Sequence, residues 1–276
     1  MATRFGGVVK GVVEVLPGQS FLHLKLRDLS RARGDVPVFL MNSFATSEAT
    51  EEHLATLRSE LSPLAIHPVT QGVSLRLNPD GELYRDARGA PSFYAPGHGD
   101  VFDVLRHSEG FTRFREGSGR MVMVSNVDNL GATLDPVVVG FHLEHGAAIT
   151  VEVAAKFPGD KGGAPAKLDG KIQVVEGFRF PNDFDQDRIR VFNTNTLSFD
   201  ADVFERDVEL SWFRADKVVD GHDVVQFERL MGEATATLSS RYLEVEREGD
   251  ASRFLPIKTP KDLDGLRDAI SKRLDL

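Results

Sequence analysis

The sequence predicts an α/β protein whose first half contains a mostly parallel sheet flanked by helices, with a β-rich elaboration in the second half. Two short, almost wholly apolar runs, residues 36–41 and 121–124, have the pattern of strands buried on both faces of a parallel sheet. Each run precedes a segment with helical character, so strands and helices alternate as in βαβ units. From residue 149 onward, short strand-like runs predominate. The ligand site of such a domain is expected beyond the carboxyl ends of its parallel strands.

The helices expected in the first half are marked by caps and by apolar periodicity. Ser47 or Thr50 can cap the first of them. Its apolar face consists of Leu54, Leu57 and Leu61. A second helix is expected over residues 101–107, and residues 134–143 are apolar enough for a crossover helix. These helices alternate with the apolar runs and complete the α/β pattern.

The second half is expected to contain several short strands and a closing helix. The strand-like runs are residues 149–153, 172–175, 189–197, 224–227 and 242–245. Thr259 can cap the closing helix, with Pro260 at its first position and Asp262 near its start. The apolar stripe of this helix consists of Leu263, Leu266, Ile270 and Leu274. Since no repeat or long flexible linker divides the sequence, we expect a single domain.

Composition and charge exclude several classes of protein. Hydrophobic residues make up 41% of the 276 residues and charged residues 27%, as in folded globular chains and unlike disordered or fibrous ones. The formal net charge of −9 argues against non-specific binding to nucleic acid or to an anionic membrane. Without cysteine there is no disulfide, thiolate zinc site or cysteine nucleophile. Because no apolar run reaches the roughly 18 residues of a membrane helix, and the first residues lack a signal peptide's apolar stretch, we expect a cytoplasmic protein.

Three polar segments could bind a phosphorylated ligand, and each has a structural alternative. Residues 2–10 (ATRFGGVVK) combine adjacent glycines with cations, which suits phosphate binding but also a frayed terminus with a tight turn. Residues 94–100 (YAPGHGD) place His98 between two glycines before a helix, where it could meet an anion or form part of a helix-capping turn. Residues 125–131 (SNVDNLG) follow an apolar strand, so Asp128 could hold magnesium against phosphate oxygens or belong to a polar turn.

The remaining candidates are single residues in loops. Lys161 and Lys258 lie in loops marked by glycine or proline, where a solvated lysine is the default. Asn195, near the end of a predicted strand, could bind sugar hydroxyls or merely turn the chain. None of these residues by itself decides between ligand binding and a structural role.

Read together and in chain order, these segments resemble the UTP-glucose-1-phosphate uridylyltransferase family of the eukaryotic type, also called UDP-glucose pyrophosphorylases. The matching segments are residues 2–10, 36–44 (VPVFLMNSF), Gln71, 94–100 (YAPGHGD), 124–132 (VSNVDNLGA), 161–163 (KGG), 192–195 (FNTN) and 254–259 (FLPIKT). A single motif of this kind is a weak signal, whereas the ordered set is highly specific. The resemblance implies the nucleotidyltransferase, Rossmann-like form of the α/β fold.

The resemblance also implies an activity. It is the reversible reaction of UTP with glucose 1-phosphate, which gives UDP-glucose and pyrophosphate with Mg²⁺ as cofactor. Because both substrates are polyanions, such a reaction needs cations to offset their repulsion and needs no nucleophile from the protein. A relative that uses another sugar 1-phosphate, such as an N-acetylhexosamine or galactose derivative, is an alternative, since one substituent is read by local pocket shape. No nucleic acid or membrane partner is expected.

Position by position, the resemblance implies roles for individual residues. Catalytic roles are implied for Lys10 and Lys258, which would neutralise phosphate charge, and for Asp128, which would bind the metal. The implied nucleotide-binding residues are Ala2, Thr3, Arg4, Gln71 and Gly97. The implied sugar-phosphate-binding residues are His98, Asn126, Asn195 and Lys161.

The resemblance further implies how one catalytic domain, residues 1–276, is divided. Residues 1–148 would be the nucleotide-binding half, residues 149–258 the β-rich sugar-binding half, and residues 259–276 the closing helix. The match begins inside the family's glycine loop, without the strand and Gly-Gly-Leu segment that precede it, and stops before the family's carboxyl-terminal β-helix. A truncated, non-catalytic nucleotide-binding protein is therefore the alternative from a different functional class.

Overall fold

The structure, a computed structural model, describes residues 8–61, 64–160, 162–257 and 259–274. The strands in these ranges are β1 (Glu14–Leu16), β2 (Gln19–Ser20), β3 (Val38–Asn42), β4 (Ile66–Thr70), β5 (Ser74–Leu75), β6 (Phe93–Tyr94), β7 (Met121–Val124), β8 (Ile149–Ala155), β9 (Ala164–Leu168), β10 (Lys171–Val175), β11 (Val191–Asp200), β12 (Phe213–Val219), β13 (His222–Glu228) and β14 (Ser240–Glu244). The α-helices are α1 (Phe21–Ser30), α2 (Ser47–Leu57), α3 (Val101–Arg106), α4 (Glu109–Glu116), α5 (Pro136–His145), α6 (Ala234–Thr237) and α7 (Pro260–Arg273).

The main sheet has four strands in the order β14-β8-β11-β7. Strand β14 is parallel to β8, whereas β11 is antiparallel to both β8 and β7. Strands β7, β8 and β14 therefore run in one direction, and β11 runs against them. The carboxyl ends of three strands consequently point to the same edge of the sheet, and the loop of residues 125–132 begins at this edge, after β7.

The structure confirms the mixed α/β class but not the predicted mostly parallel sheet. Parallel pairing joins β3 to β4 and β8 to β14, and the other strand pairs of the described chain are antiparallel. The apolar runs at residues 36–41 and 121–124 do form strands, β3 and β7. An apolar run reports burial, however, and does not report the direction of the neighbouring strand. Strand β11 (VFNTNTLSFD), which mixes polar and apolar residues, pairs antiparallel with both of its neighbours.

The main core packs this sheet against α3 and α4. Ile149 and Val151 of β8, with Leu197 and Phe199 of β11, are completely buried within it. The ring of Phe102 in α3 meets Phe199 edge-on, with 5.4 Å between the ring centroids. These contacts fix β8 and β11, and hence the sheet edge beside them.

A second core joins the beginning and the end of the described chain. Val15 of β1 and Phe21 and Leu24 of α1 pack in one cluster with Ile257 and with Ile270 of α7. Four of these five side chains are fully buried and the exposure of Leu24 is 1%. The closing helix is therefore held against the segment that follows Lys10 in the sequence.

The starts of α5 and α7 agree with the sequence signals, whereas the predicted cap of α2 was wrong. The N-cap of α2 is Thr46 and not Ser47 or Thr50, and no side-chain hydrogen bond caps this helix. The closing helix begins with the predicted capping box, in which the Thr259 hydroxyl and the Asp262 carboxylate each accept the other residue's backbone N–H. The crossover helix α5 begins at Pro136, after Asp135 caps it by accepting a hydrogen bond from the Val137 N–H at 2.8 Å. Within the described ranges, every helix lacks the length and apolarity that crossing a membrane requires.

One irregularity in β11 shapes the site. Leu197 pairs with both Val124 of β7 and Val151 of β8, but the register shifts between Asn193 and Leu197. Asn195 has a left-handed backbone with φ of 59°, a conformation that asparagine adopts more readily than most residues. The bulge releases this part of β11 from the ladder next to the carboxyl end of β7.

Candidate active site

The loop of residues 125–132, which follows β7, carries the predicted metal-binding carboxylate. The Lys10 ammonium donates a hydrogen bond to Asp128 Oδ2 and forms an ion pair with it. The two side chains are 20% and 18% exposed, so both are shielded on most sides and still reach solvent. Two predicted catalytic residues that are 118 positions apart in the sequence are thus in contact.

The bulge in β11 brings a predicted sugar contact to the same loop. Asn195 Nδ2 donates to Asn126 Oδ1 at 3.2 Å, and the Asn195 backbone N–H donates to Asn193 Oδ1 at 3.0 Å. The Asn195 side chain therefore lies against Asn126, which is part of the loop that carries Asp128. An amide can both donate and accept, which suits it to sugar hydroxyls and phosphate oxygens.

The loop of residues 94–100 is held through its backbone. Gln71 Nε2 donates to Gly97 O at 2.8 Å, which brings the two predicted nucleotide contacts together. Arg229 N donates to Pro96 O at 2.7 Å and Gly99 N donates to Arg229 O at 2.9 Å. Gly97 has φ of 101°, and a Cβ there would lie 2.5 Å from Arg229 O. Both the conformation and the close approach require glycine at this position.

Asp100 anchors the end of this loop and does not cap α3 with its side chain. Its carboxylate accepts a hydrogen bond from Gly72 N at 3.0 Å and forms an ion pair with Arg229 at 2.5 Å. The Arg229 guanidinium also pairs with Asp103 at 2.9 Å and lies 4.8 Å from the Trp212 ring centroid. The structural alternative for this segment was a Pro-Gly turn in which Asp100 caps the following helix. The Asp100 side chain instead binds Gly72 and Arg229, which are distant in the sequence.

His98 is a neutral hydrogen-bonding group at physiological pH. Its Nδ1 atom accepts a hydrogen bond from the Met231 backbone N–H at 3.0 Å. Burial lowers the pKa of His98 to about 4, and the nearby Glu228 carboxylate offsets this only in part. Since Nδ1 is an acceptor, the neutral ring carries its proton on Nε2 and can donate from that atom.

The segment that precedes Lys258 in the sequence is joined to the Asp128 loop. Ile257 N donates to Asp128 O at 3.2 Å. Asn129 bridges the same two segments, because its side chain donates to Arg253 O at 3.1 Å and accepts from Leu255 N at 2.9 Å. The predicted site residues outside the described part of the chain are Ala2, Thr3, Arg4, Lys161 and Lys258.

Two cations behind this loop, the buried Arg253 and the partly buried Lys25, were not singled out by sequence reasoning. The Arg253 guanidinium pairs with Glu152 through two hydrogen bonds of 2.7 Å, and it donates to Thr133 O at 3.1 Å. The Lys25 ammonium donates to Ala132 O at 2.7 Å and to Ser125 Oγ at 3.3 Å. A signal for Lys25 was present, because a lysine at this position interrupts an otherwise apolar helix face. That face contains Leu22, Leu26 and Leu29.

Comparison with known proteins identifies the family. The family model described as UTP–glucose-1-phosphate uridylyltransferase matches residues 1–270. The chain belongs to this family. Among proteins of that name, the one from Saccharomyces cerevisiae is 33% identical over 279 residues, covering 92% of this chain and 54% of its own. The one from Astragalus penduliflorus is 31% identical over 273 residues, covering 92% and 57%. The chain therefore spans about half the length of these relatives.

Solved structures of the uridylyltransferase family share the fold. A mutant UDP-glucose pyrophosphorylase from Leishmania major matches with a TM-score of 0.80 and 27% identity, covering 97% of this chain and 63% of that one. A second mutant of the Leishmania enzyme, in complex with UDP-glucose, matches with a TM-score of 0.75 and 26% identity over 92% and 60% of the two chains. The match to the Trypanosoma brucei protein has a TM-score of 0.77 and 27% identity over 95% and 63%. Family membership thus rests on both sequence and structure.

Proposed function

We propose that this chain transfers the uridylyl group of UTP to glucose 1-phosphate, giving UDP-glucose and pyrophosphate. The observation that carries the proposal is the contact between the Lys10 ammonium and the Asp128 carboxylate in the loop after β7, in a chain of the uridylyltransferase family. The UDP-glucose complexes of the Leishmania relatives support the choice of product. We infer that the main sheet is part of the family's Rossmann-like nucleotidyltransferase sheet, with nucleotide and sugar on the two halves divided at residue 148.

The residues fit a magnesium ion that is shared with the substrate. Among the described residues, no group of three or more histidine, aspartate or glutamate side chains could form a cage for a metal. Mg²⁺ commonly binds one or two carboxylates and takes its other ligands from phosphates and water. Asp128, partly exposed beside Lys10, would hold it. When bound, the ion would neutralise charge on the phosphates.

The side chains of this chain would then bind and orient two anions. Lys10 would exchange its contact with Asp128 for the triphosphate, and Lys258 would meet the phosphates from the other side. His98, as a neutral donor, and the Asn126–Asn195 pair would orient the sugar phosphate. The sugar phosphate oxygen attacks the α-phosphorus, pyrophosphate leaves, and no bond to the protein forms. Positioning and charge stabilisation supply the catalysis in reactions of this kind.

The remaining predicted contacts complete the proposal. Gln71 and Gly97 would hold the uracil base, and Arg4 and its two predecessors Ala2 and Thr3 would supply contacts to the nucleotide. Lys161 would contribute a second cation on the sugar side. A cytoplasmic location stays a prediction from the sequence.

A pyrophosphate-release assay tests this proposal. The chain is incubated with Mg²⁺, UTP and one sugar 1-phosphate at a time, from glucose, galactose and N-acetylglucosamine. We expect the highest kcat/KM with glucose 1-phosphate. Faster release with another sugar 1-phosphate would make that compound the substrate. No release with any of the three would support the non-catalytic alternative.

Asp128→Asn provides the site-specific arm of this assay, with Asp169→Asn as a matched control. Asp169 lies exposed in the turn between β9 and β10, where its left-handed backbone also suits asparagine. Both variants lose one negative charge. The proposal predicts that release is lost in Asp128→Asn and retained in Asp169→Asn, and equal activity of the two variants would contradict the assigned metal role.

A further inference from the structure

A lysine outside the predicted site lies behind the Asp128 loop. Lys25 is on α1, on the helix face whose neighbouring positions, Leu22 and Leu26, are buried. We propose that Lys25 is a positioning residue that fixes the loop of residues 125–132 and thereby the carboxylate of Asp128. The kinetic part of this inference rests on the proposed uridylyl transfer.

The contacts of Lys25 span the whole loop. Its ammonium donates to Ser125 Oγ at 3.3 Å, at the residue where the loop leaves β7, and to Ala132 O at 2.7 Å, at the other end. One cation therefore joins both ends of the loop from behind. Asp128 lies between these ends, and its side chain meets Lys10.

The helix that carries Lys25 is also attached to the Lys10 segment. Lys10 begins a single 3₁₀ turn, in which Val13 N donates to Lys10 O at 3.1 Å. The first residue of α1, Phe21, then donates its N–H to Val13 O at 3.1 Å. Lys25 consequently links the element next to Lys10 with the loop of Asp128, and it sets the relative position of the two charged groups.

The electrostatic surroundings of Lys25 are mixed. Asp28, Asp128 and Glu152 favour its charged form, while Arg253 and burial oppose it, and burial has the largest effect. A buried ammonium destabilises a fold unless its partners compensate. Methionine has a similar length and would fill the same space without this cost. The presence of lysine at a position that packing alone would give to an apolar residue is consistent with a role in positioning.

Three variants separate positioning from packing. Lys25→Met removes both hydrogen bonds, Lys25→Arg retains a cation that can donate, and Lys171→Met is the matched control. Lys171 is also partly buried and donates to two backbone carbonyl oxygens, Ala236 O at 3.0 Å and Leu238 O at 2.8 Å. It ties β10 to the region of α6, and we have assigned it no part in the site.

The first readout is backbone hydrogen exchange, which does not depend on activity. We expect faster exchange in residues 125–132 of Lys25→Met and unchanged exchange there in Lys171→Met. Unchanged exchange in the loop of Lys25→Met would overturn the inference. Hydrogen exchange can be measured even if the wild-type chain has no activity. A failure of the proposed function is therefore distinguishable from a failure of this inference.

The second readout is pyrophosphate release with UTP and glucose 1-phosphate. We expect kcat to fall between about ten- and a hundred-fold in Lys25→Met, with a smaller change in KM for UTP, because a displaced carboxylate affects the reacting geometry most. Lys25→Arg should recover part of this loss, and Lys171→Met should keep the wild-type kcat. A wild-type kcat in Lys25→Met, or an equal loss in Lys171→Met, would overturn the inference.

Discussion

The loop of residues 125–132 and the loop of residues 94–100 both carry predicted substrate contacts, but different forces hold them. The first is surrounded by charged side chains, with Lys10 at its front and Lys25 and Arg253 behind it. The second is held mainly by backbone hydrogen bonds to Arg229, which follows β13, and by glycines packed against that residue. Its one ion pair, between Asp100 and Arg229, involves a carboxylate that is almost fully buried. Side-chain ion pairs can exchange partners when a ligand arrives, whereas a packed backbone cannot. We therefore propose that the first loop responds to the charge of a ligand and the second to its shape.

Replacing the carboxylate of the first loop should have the largest effect. Asp128→Ala removes the predicted metal ligand, and we expect kcat for UDP-glucose formation to fall by about 10³-fold or more, as when a main electrostatic group is lost. Because Asp128 is partly exposed and lies in the loop after β7, the free energy of unfolding should change by less than about 1 kcal/mol. Steady-state kinetics and urea unfolding measure the two effects. If Asp128→Ala unfolds so easily that the unfolded fraction explains the lost turnover, the first loop would be structural like the second, and the contrast between them would be wrong.

Adding one methyl group to the second loop should instead reduce stability. In Gly97→Ala, the new Cβ would lie 2.5 Å from Arg229 O on a backbone with φ of 101°. Strain and overpacking together should lower the free energy of unfolding by about 4 kcal/mol. Gly89→Ala is the control, because Gly89 has φ of 79° and no atom within 4 Å of the added Cβ. It should lose about 1 to 2 kcal/mol from strain alone, and equal losses in the two variants would contradict the close approach.

The charge behind the first loop should make stability depend on pH. Burial lowers the pKa of Lys25 from 10.5 in an unfolded chain to about 8. The unfolded state therefore binds more protons than the folded state between these values, so stability of the wild type rises with pH across this window. Relative to Lys25→Met, the wild type should be less stable by up to about 3 kcal/mol below pH 8 and should approach the variant near pH 10.5. Urea unfolding of both proteins at pH 7 and pH 10 measures this difference, and a constant difference would contradict the buried charge.

Substitution of a side chain that supports the second loop should have the smallest effect. Gln71→Ala removes the hydrogen bond to Gly97 O and the predicted contact to uracil. We expect KM for UTP to rise about ten-fold with little change in kcat, the result for a group that binds the ground state and transition state equally. A loss of kcat without a change in KM would contradict this role, because it would mean that Gln71 acts in the transition state, as we expect of the residues of the first loop.

Much of the local structure around the candidate site could be predicted because its motifs are continuous in the sequence, whereas the roles of the site residues stay predictions. The two loops, the apolar strands β3 and β7, and the capping box of α7 each depend on neighbouring residues. The antiparallel direction of β11 depends on its pairing with β7 and β8, which are distant in the sequence, and no local pattern encodes that direction. The role of Arg253 likewise depends on Glu152, which no local pattern joins to it. Helix α1 was not predicted, since its face mixes leucine with the partly buried Lys25.

Metal binding in the presence of nucleotide tests the central claim most directly, namely that Asp128 holds a divalent ion together with UTP. Mn²⁺, which prefers the same oxygen ligands as Mg²⁺, can be followed by water-proton relaxation as it is titrated with UTP into the wild type and Asp128→Asn. The account predicts a UTP-dependent relaxation enhancement in the wild type. In Asp128→Asn, the affinity for Mn²⁺ in the presence of UTP should fall at least about ten-fold. The same enhancement and affinity in both proteins would contradict it.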